Sequence, residues 1–331
     1  MKKRKLLTLL PLLVTPLMMT GCNGNKDTFK IGVLQPVEHN ALGAARQGFE
    51  KGLEEAGLTN FKIEYRNAGG NDADLVTLAK NLIDSCDLSL GIGTGASKAL
   101  QGAEVNAGLT KPLLFTAVTD PVGAGLVKSA DNPEGYVCGT TDANPVEAQI
   151  ALIKEFNPDA AKVGIMYTQT EENSKVQSDQ AEVAIKAAGM ATDVKTCSNA
   201  SDILATAEAL VADGVNAIYI PTDNNIAANM NAIKQSVKNK NVLVVCGEEN
   251  LLAQGGHVTL SIDYFNLGLS TGKMAAEILK GDKKPTDFKV EAVPATDCEY
   301  VFSTSNLADA GLSMPDSMKN AHTWRDVGAA Q

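Results

Sequence analysis

From Phe29 onward, short runs of β-branched and aromatic residues alternate with longer stretches in which apolar positions recur every three or four residues. The strand-like runs cover residues 29–34, 61–66, 88–92 and 113–118, and then 162–167, 191–195, 217–220, 242–245 and 258–261. Helical spacing covers 41–56, 74–83, 97–106, 146–156, 173–188, 202–211, 225–237 and 267–279. Strands that alternate with helices predict an α/β chain in which parallel sheets are covered by helices on both faces. Two sets of four or five strands predict two Rossmann-like, doubly wound lobes, with the break in the Gly-, Pro-, Asn- and Thr-rich stretch 132–145. A closed eight-stranded barrel also alternates strand and helix. The long non-helical connection 129–144 argues against it, because a barrel would place another helix there.

In open parallel sheets ligands bind beyond the carboxyl ends of the strands, so the strand-to-helix loops are where chemistry is expected. They read Gln35-Pro36-Val37-Glu38-His39-Asn40, Gly93-Thr94-Gly95-Ala96-Ser97, Thr119-Asp120-Pro121, Thr168 to Ser174, Pro221-Thr222-Asp223-Asn224 and Gly247-Glu248-Glu249-Asn250. Gly91-Ile92-Gly93-Thr94-Gly95-Ala96 has the look of a dinucleotide loop but follows the third strand, and no Gly-Lys-Ser/Thr ending supports a triphosphate loop. The three histidines, His39, His257 and His322, have no metal-binding spacing. Carboxylates recur at strand ends as Asp120, Asp223, Glu248 and Asp263; they suit a ligand ammonium, acid-base work or helix capping equally well. The turn before Asn173 and Ser174 opens a long amphipathic helix, whose N-terminus suits an anion or serves capping alone.

Composition narrows the class. With 331 residues, 44% of them hydrophobic and 21% charged, the chain can bury two sizeable cores. Lys2, Lys3, Arg4 and Lys5, a short apolar stretch interrupted by Pro11 and Pro16, and Met19-Thr20-Gly21-Cys22 read as an export signal over residues 1–21. Removing those four cations makes the remainder four units more negative than the formal charge of -10, which argues against nucleic-acid binding. The apolar stretch falls short of the roughly 18–20 residues that span a bilayer. Met19 to Cys22 resembles a bacterial lipobox, which implies lipidation of Cys22 and a polar tether over residues 22–27. The other five cysteines are widely spaced and odd in number, so at least one thiol is free, and buried thiols are expected rather than a zinc site.

The segment from Phe115-Thr116-Ala117-Val118-Thr119-Asp120-Pro121 to Val127, with Val37-Glu38-His39, Pro145-Val146-Glu147-Ala148-Gln149, Pro221-Thr222-Asp223-Asn224 and Ser261-Ile262-Asp263-Tyr264, resembles the lipoprotein substrate-binding proteins of ABC importers for aromatic amino acids. The resemblance runs from Phe29 to about Lys284. It implies a periplasmic-binding-protein type I architecture, with a hinge and a ligand cleft between the lobes. One lobe would comprise residues 28–140 and 264–290, the other 141–263 and 291–331, with a crossing near Asp263 and a return near Glu291. Members of the family often carry Ser-Asp-Thr-Asp where this chain has Gly247-Glu248-Glu249-Asn250.

The function implied is an extracytoplasmic, lipid-anchored receptor that captures a free amino acid such as L-Trp, L-Phe or L-Tyr by lobe closure. It would deliver that ligand to an ABC permease and its ATPase, without a cofactor, metal or bond-making step. Resemblance and loop position together assign Thr94, Gly95, Thr116, Thr119 and Asp120 to the site from the first lobe. From the second they assign Asn173, Ser174, Thr222, Asp223, Asn224 and Glu248. Asn173 and Ser174 would take the ligand carboxylate, and Asp223 or Glu248 the ammonium. The alternatives are a sensor or adhesion lipoprotein, and a two-lobed nucleotide-sugar transferase.

Overall fold

A computed structural model describes residues 28–328; the leader, Cys22 and the rest of the tether lie outside the described residues. The chain opens with β1 (Phe29–Gln35), α1 (Asn40–Glu55), β2 (Phe61–Asn67), α2 (Asp72–Ser85), β3 (Leu88–Ile92), α3 (Thr94–Ala107), β4 (Leu113–Thr116) and β5 (Val137–Thr141). It then crosses into α4 (Val146–Phe156), β6 (Lys162–Thr168), α5 (Glu172–Ala187), β7 (Ala191–Cys197), α6 (Ile203–Ala212), β8 (Ala217–Ile220), α7 (Asn224–Ala227) and α8 (Met230–Val237). Next come β9 (Leu243–Cys246), α9 (Asn250–Gln254), β10 (Val258–Ser261), α10 (Tyr264–Lys280), β11 (Glu291–Ala292), β12 (Glu299–Phe302), α11 (Thr304–Asp309), α12 (Asp316–Ala321) and β13 (Trp324–Asp326).

Two sheets result. The first runs β11-β5-β4-β3-β1-β2 with every pair parallel, and the second runs β13-β12-β10-β9-β8-β6-β7 with β12 antiparallel to β10. Each contains the doubly wound order in which the second strand lies outside the first, so each has a switch point, between β1 and β3 and between β6 and β8. The two doubly wound lobes read from the periodicity are therefore present, and the barrel is excluded by the open sheet edges.

Buried residues form a layer on each face of each sheet. In the first lobe Leu82, Leu100 and Phe115 pack on one face, and Phe49, Leu90 and Met274 on the other. Leu210, Ile218 and Ile233 do the same on one face of the second sheet, and Ile153, Ile185 and Tyr219 on the other. Helices α1 and α10 approach backbone to backbone: a Cβ added at Gly48 would lie 1.9 Å from Phe265 O, and one at Gly268 1.9 Å from Ala45 O. Only hydrogen side chains fit that contact.

Several details depart from the expected pattern. β5 forms inside the stretch read as a connection, where Gly139 sits so close to Phe115 that a Cβ would fall 2.0 Å from its carbonyl oxygen. The helix expected over 225–237 breaks at Asn229, whose side chain donates to Asn225 O at 2.8 Å in competition with the helical pattern. β4 ends at Thr116 because Ala117 takes φ 55°. After α10 the chain stays on the first sheet through β11, which pairs with β5, and it reaches the second sheet at β12. Cys86, Cys138, Cys197 and Cys246 are buried free thiols and Cys298 is a half-buried one. Among the described residues no helix is long and apolar enough to cross a membrane.

Candidate functional site

The carboxyl ends of the two sheets face each other, and the loops at the two switch points meet. Pro36-Val37 after β1 and Thr94-Gly95 after β3 oppose Thr170 to Asn173 after β6 and Asn224-Asn225 after β8, around an outer cavity of about 350 Å³. Deeper in, His39, Leu42, Ala117, Asp142, Thr222, Asp223, Asn224, Glu248 and Tyr264 line a much smaller inner cavity of about 20 Å³. Asn224 lines both, so the two spaces are neighbours. Ala117 holds a left-handed φ that costs a non-glycine residue on the order of 1 kcal/mol, and its small side chain faces the inner cavity.

The lobes are in contact through polar side chains. Lys98 on α3 reaches both oxygens of Glu172 on α5, at 2.8 and 2.6 Å. Gln177 Nε2 donates to Thr119 Oγ1 at 3.3 Å and to Thr222 Oγ1 at 2.6 Å. His39 Nε2 lies 3.0 Å from Asn224 Oδ1, while Asn224 Nδ2 donates to Glu171 Oε2 at 2.6 Å. Since Asn224 Oδ1 can only accept, His39 carries its proton on Nε2, and burial lowers its pKa in favour of that neutral ring.

The deep carboxylates differ in what they still offer. Asp223 is fully engaged: Oδ2 accepts from Thr168 N at 2.6 Å, and Oδ1 from Thr168 Oγ1 at 2.8 Å and Ile226 N at 2.9 Å. It is thus the N-cap of α7 and a clamp on β6. Asp142 accepts from Thr119 Oγ1 at 3.0 Å and Tyr264 OH at 2.9 Å. Glu248 is 3% exposed; its Oε2 accepts from Asn250 N at 2.6 Å, whereas Oε1 is buried without a partner. Burial pushes all three pKa values up, that of Glu248 to about 7, with the charge of Glu249 adding to the effect. A buried acceptor without a donor is costly, and here its residue lines the inner cavity.

Of the residues expected from sequence, Thr94, Gly95, Asn173 and Asn224 line the outer cavity, and Thr222, Asp223, Asn224 and Glu248 the inner. Thr119 stands behind them on Asp142 and Gln177. Thr116 is placed differently, in a buried hydroxyl chain with Thr140 and Thr271. Asp120 Oδ1 accepts from Gly123 N at 2.8 Å and holds a turn, and neither cavity is lined by it. Ser174 and Asn173 both donate to Thr222 O, so these two side chains tie the loops of one lobe together. The helix they begin carries Glu172, paired with Lys98, in its first turn and Glu171 at its N-cap, where burial pushes the Glu171 pKa up to about 8. α3 has no acidic residue in its first turn, and Thr94 Oγ1 there is buried and unpartnered. Sequence reading missed Asp142, Gln177 and Tyr264. Asp142 follows directly on a strand that Gly139 disguised, and Tyr264 stands at the start of α10 inside the quoted Ser261 to Tyr264 motif.

Two doubly wound lobes enclosing a polar cleft, crossed by the chain at 142–145, 262–263 and 293–298, define the bilobal solute-binding class. The chain belongs to the ABC transporter substrate binding protein family, whose profile matches residues 30–323. It is therefore an extracytoplasmic solute-binding protein and not an enzyme, which sets the transferase alternative aside. A "Tyrosine-binding protein" of Clostridioides difficile (strain R20291) is 33% identical over 320 residues, 91% of each chain. A Streptococcus pneumonia ABC domain in complex with L-Trp superposes with a TM-score of 0.83 at 30% identity, over 91% of this chain and 100% of that one. The ligand-free, open structure of a Clostridium difficile substrate binding protein with adhesive properties gives a TM-score of 0.66 at 31% identity, over 90% of this chain and 99% of that one. Hydrogen bonds across the cleft hold the two lobes in contact here.

Proposed function

We infer that the cleft captures a free L-amino acid with an aromatic or large apolar side chain and that the protein, lipid-anchored at Cys22, hands it to an ABC permease. The observation that carries this reading is the unpartnered Glu248 Oε1 at the inner cavity, which an ammonium would satisfy. At the other end the Thr94 hydroxyl and the first amides of α3 suit the ligand carboxylate, and Pro36, Val37 and Leu75 offer an apolar wall to its side chain. The L-Trp held by one relative and the tyrosine named for another support the ligand class. Asp223, whose oxygens are all engaged, serves the shape of the loop and Glu248 the charge.

Titration calorimetry with L-tryptophan, L-tyrosine and L-phenylalanine tests this reading. At least one should bind and raise the melting temperature, since a ligand of the folded state alone stabilises by mass action. Binding of sugars or nucleotides with no response to any amino acid would overturn the ligand class. For the anchor, Cys22→Ser should release the protein from the host membrane; retention there would count against lipidation.

A further inference from the structure

The loop that carries Glu248 is held from three sides. Gln149 Nε2 on α4 donates to Gly247 O at 3.0 Å and to Leu260 O at 2.8 Å, and Ser261 Oγ accepts from Glu249 N at 3.1 Å. These two fix the backbone. The third tie is ionic: Arg325 on β13 sets its guanidinium against the Glu249 carboxylate, while its Nε donates to Glu299 Oε2 on β12 at 2.9 Å. Arg325 lies past residue 323, where the family match ends, and lines neither cavity of the cleft.

We propose that Arg325 is the positioning residue of the ammonium subsite: by clamping Glu249 to β12 it fixes the direction of the loop and cancels the charge beside Glu248. The inference rests on the reading of Glu248 as the ammonium partner. The groups facing Glu248 are Asp142 and Asp223 across the inner cavity, the neutral His39, the Tyr264 hydroxyl, the buried Cys246 thiol on β9, and Glu249 next in the chain. Three of these are carboxylates, and Arg325 is the cation paired with the loop itself. Without it Glu249 would stand as an uncompensated anion beside Glu248 and disfavour the ionised form that an ammonium requires. Glu248, Glu249 and Arg325 all sit on the second lobe, so the coupling survives opening of the cleft.

The test follows the carboxyl carbon of Glu248 by NMR in ligand-free protein labelled with ¹³C-glutamate, its signal assigned by loss in Glu248→Gln. Arg325→Gln should raise the titration midpoint of Glu248 by about half a pH unit, a modest value because the guanidinium is partly exposed and screened. Glu249→Gln should lower it, and the double variant should return close to wild type. Arg325→Lys, which keeps the charge, should titrate like wild type. A midpoint unmoved by Arg325→Gln in a protein that melts normally would overturn the proposal and leave the ligand reading untouched. Calorimetry with L-tryptophan, L-tyrosine and L-phenylalanine then separates the two. If wild type binds one of them, the acid limb of its affinity should shift upward in Arg325→Gln; if wild type binds none, the reading of Glu248 as ammonium partner fails and the proposal with it.

Discussion

The two lobes bring opposite chemistry to the same cleft. The first offers Asp72 and Lys98 at the rim, hydroxyl and amide donors at Thr94 and Gly95, and apolar surface at Pro36, Val37, Leu42 and Leu75. The second offers Glu171, Glu172, Asp223 and Glu248. They differ in build as well: α1 and α10 of the first lobe touch through glycines, whereas α6 and α8 of the second meet the sheet through side chains such as Leu210, Ile233 and Val237. The deep carboxylates Asp223 and Glu248 thus belong to the second lobe, while the first contributes shape and donors, Lys98 among them. Contact between the lobes joins these two halves into one cleft.

The largest expected effect concerns the build. Gly268→Val pushes a branched side chain into the Ala45 carbonyl and should destabilise the first lobe by about 3 kcal/mol, the upper range for overpacking. Thermal unfolding should then separate into two transitions, with the second lobe melting near its original temperature. A single transition at the wild-type temperature would mean that α1 and α10 can spread apart without cost.

Next comes the charged end. Glu248→Gln should weaken amino-acid binding roughly ten- to hundred-fold, the scale of about 1.5–3 kcal/mol for a hydrogen bond to a charged group. In wild type, affinity should fall as pH drops through about 7, because protonated Glu248 no longer attracts an ammonium. Ligand-free stability runs the other way. Folded Glu248 holds its proton to a higher pH than an unfolded glutamate near 4.5, so stability should decline as pH rises from about 4.5 to 7. Calorimetry and melting curves over pH 5 to 8 would expose the opposite slopes; parallel slopes would remove Glu248 from the ligand contact.

Asp223→Asn sharpens the contrast within the second lobe. An asparagine that keeps its oxygen on Ile226 N and the Thr168 hydroxyl turns its amide donor toward the Thr168 N–H. The expected loss is about 1–3 kcal/mol of stability, from one unsatisfied buried contact, with affinity changed far less than in Glu248→Gln. A large affinity loss at unchanged melting temperature would instead return Asp223 to the ligand.

How much of this was legible in the sequence depends on the length of each signal. Strand runs such as 88–92 and 217–220 and helix 146–156 agree residue for residue with the structure, because each is bounded by turn residues and carries its own periodicity. The C-terminal strands β11 to β13 were missed because Glu291-Ala292 is too short and Glu299-Tyr300-Val301-Phe302 and Trp324-Arg325-Asp326 carry charges within the run, unlike the wholly apolar Ala217-Ile218-Tyr219-Ile220. Loop position found Thr94, Asn224 and Glu248 at the cleft, since the carboxyl ends of parallel strands face one another whatever the details. It could not tell a carboxylate with spent acceptors from one with a free oxygen: Asp223 and Glu248 both follow a strand, and only the amides that fold back on them make the difference. Asp120 lines neither cavity, and its Oδ1 holds the turn at Gly123.

The smallest expected effect lies where the lobes meet at the mouth of the outer cavity. Lys98 and Glu172 make a two-pronged contact across the gap, but their side chains are 39% and 63% exposed, and such pairs contribute roughly 0.2–1 kcal/mol. The pair exists only when the lobes are closed, so its contribution should appear almost entirely in the rate of opening. Lys98→Met should therefore speed ligand dissociation about two- to five-fold with little change in association. Glu172→Gln should do the same, and the double variant should add nothing further, because one interaction has been removed twice. Raising the salt concentration should bring wild type toward the variants, since exposed charges are screened within about 10 Å at 0.1 M ionic strength. Stopped-flow dissociation at two salt concentrations measures all four proteins. Additive single effects would show that each side chain acts on the ligand separately, and Lys98 would then count among the ligand contacts.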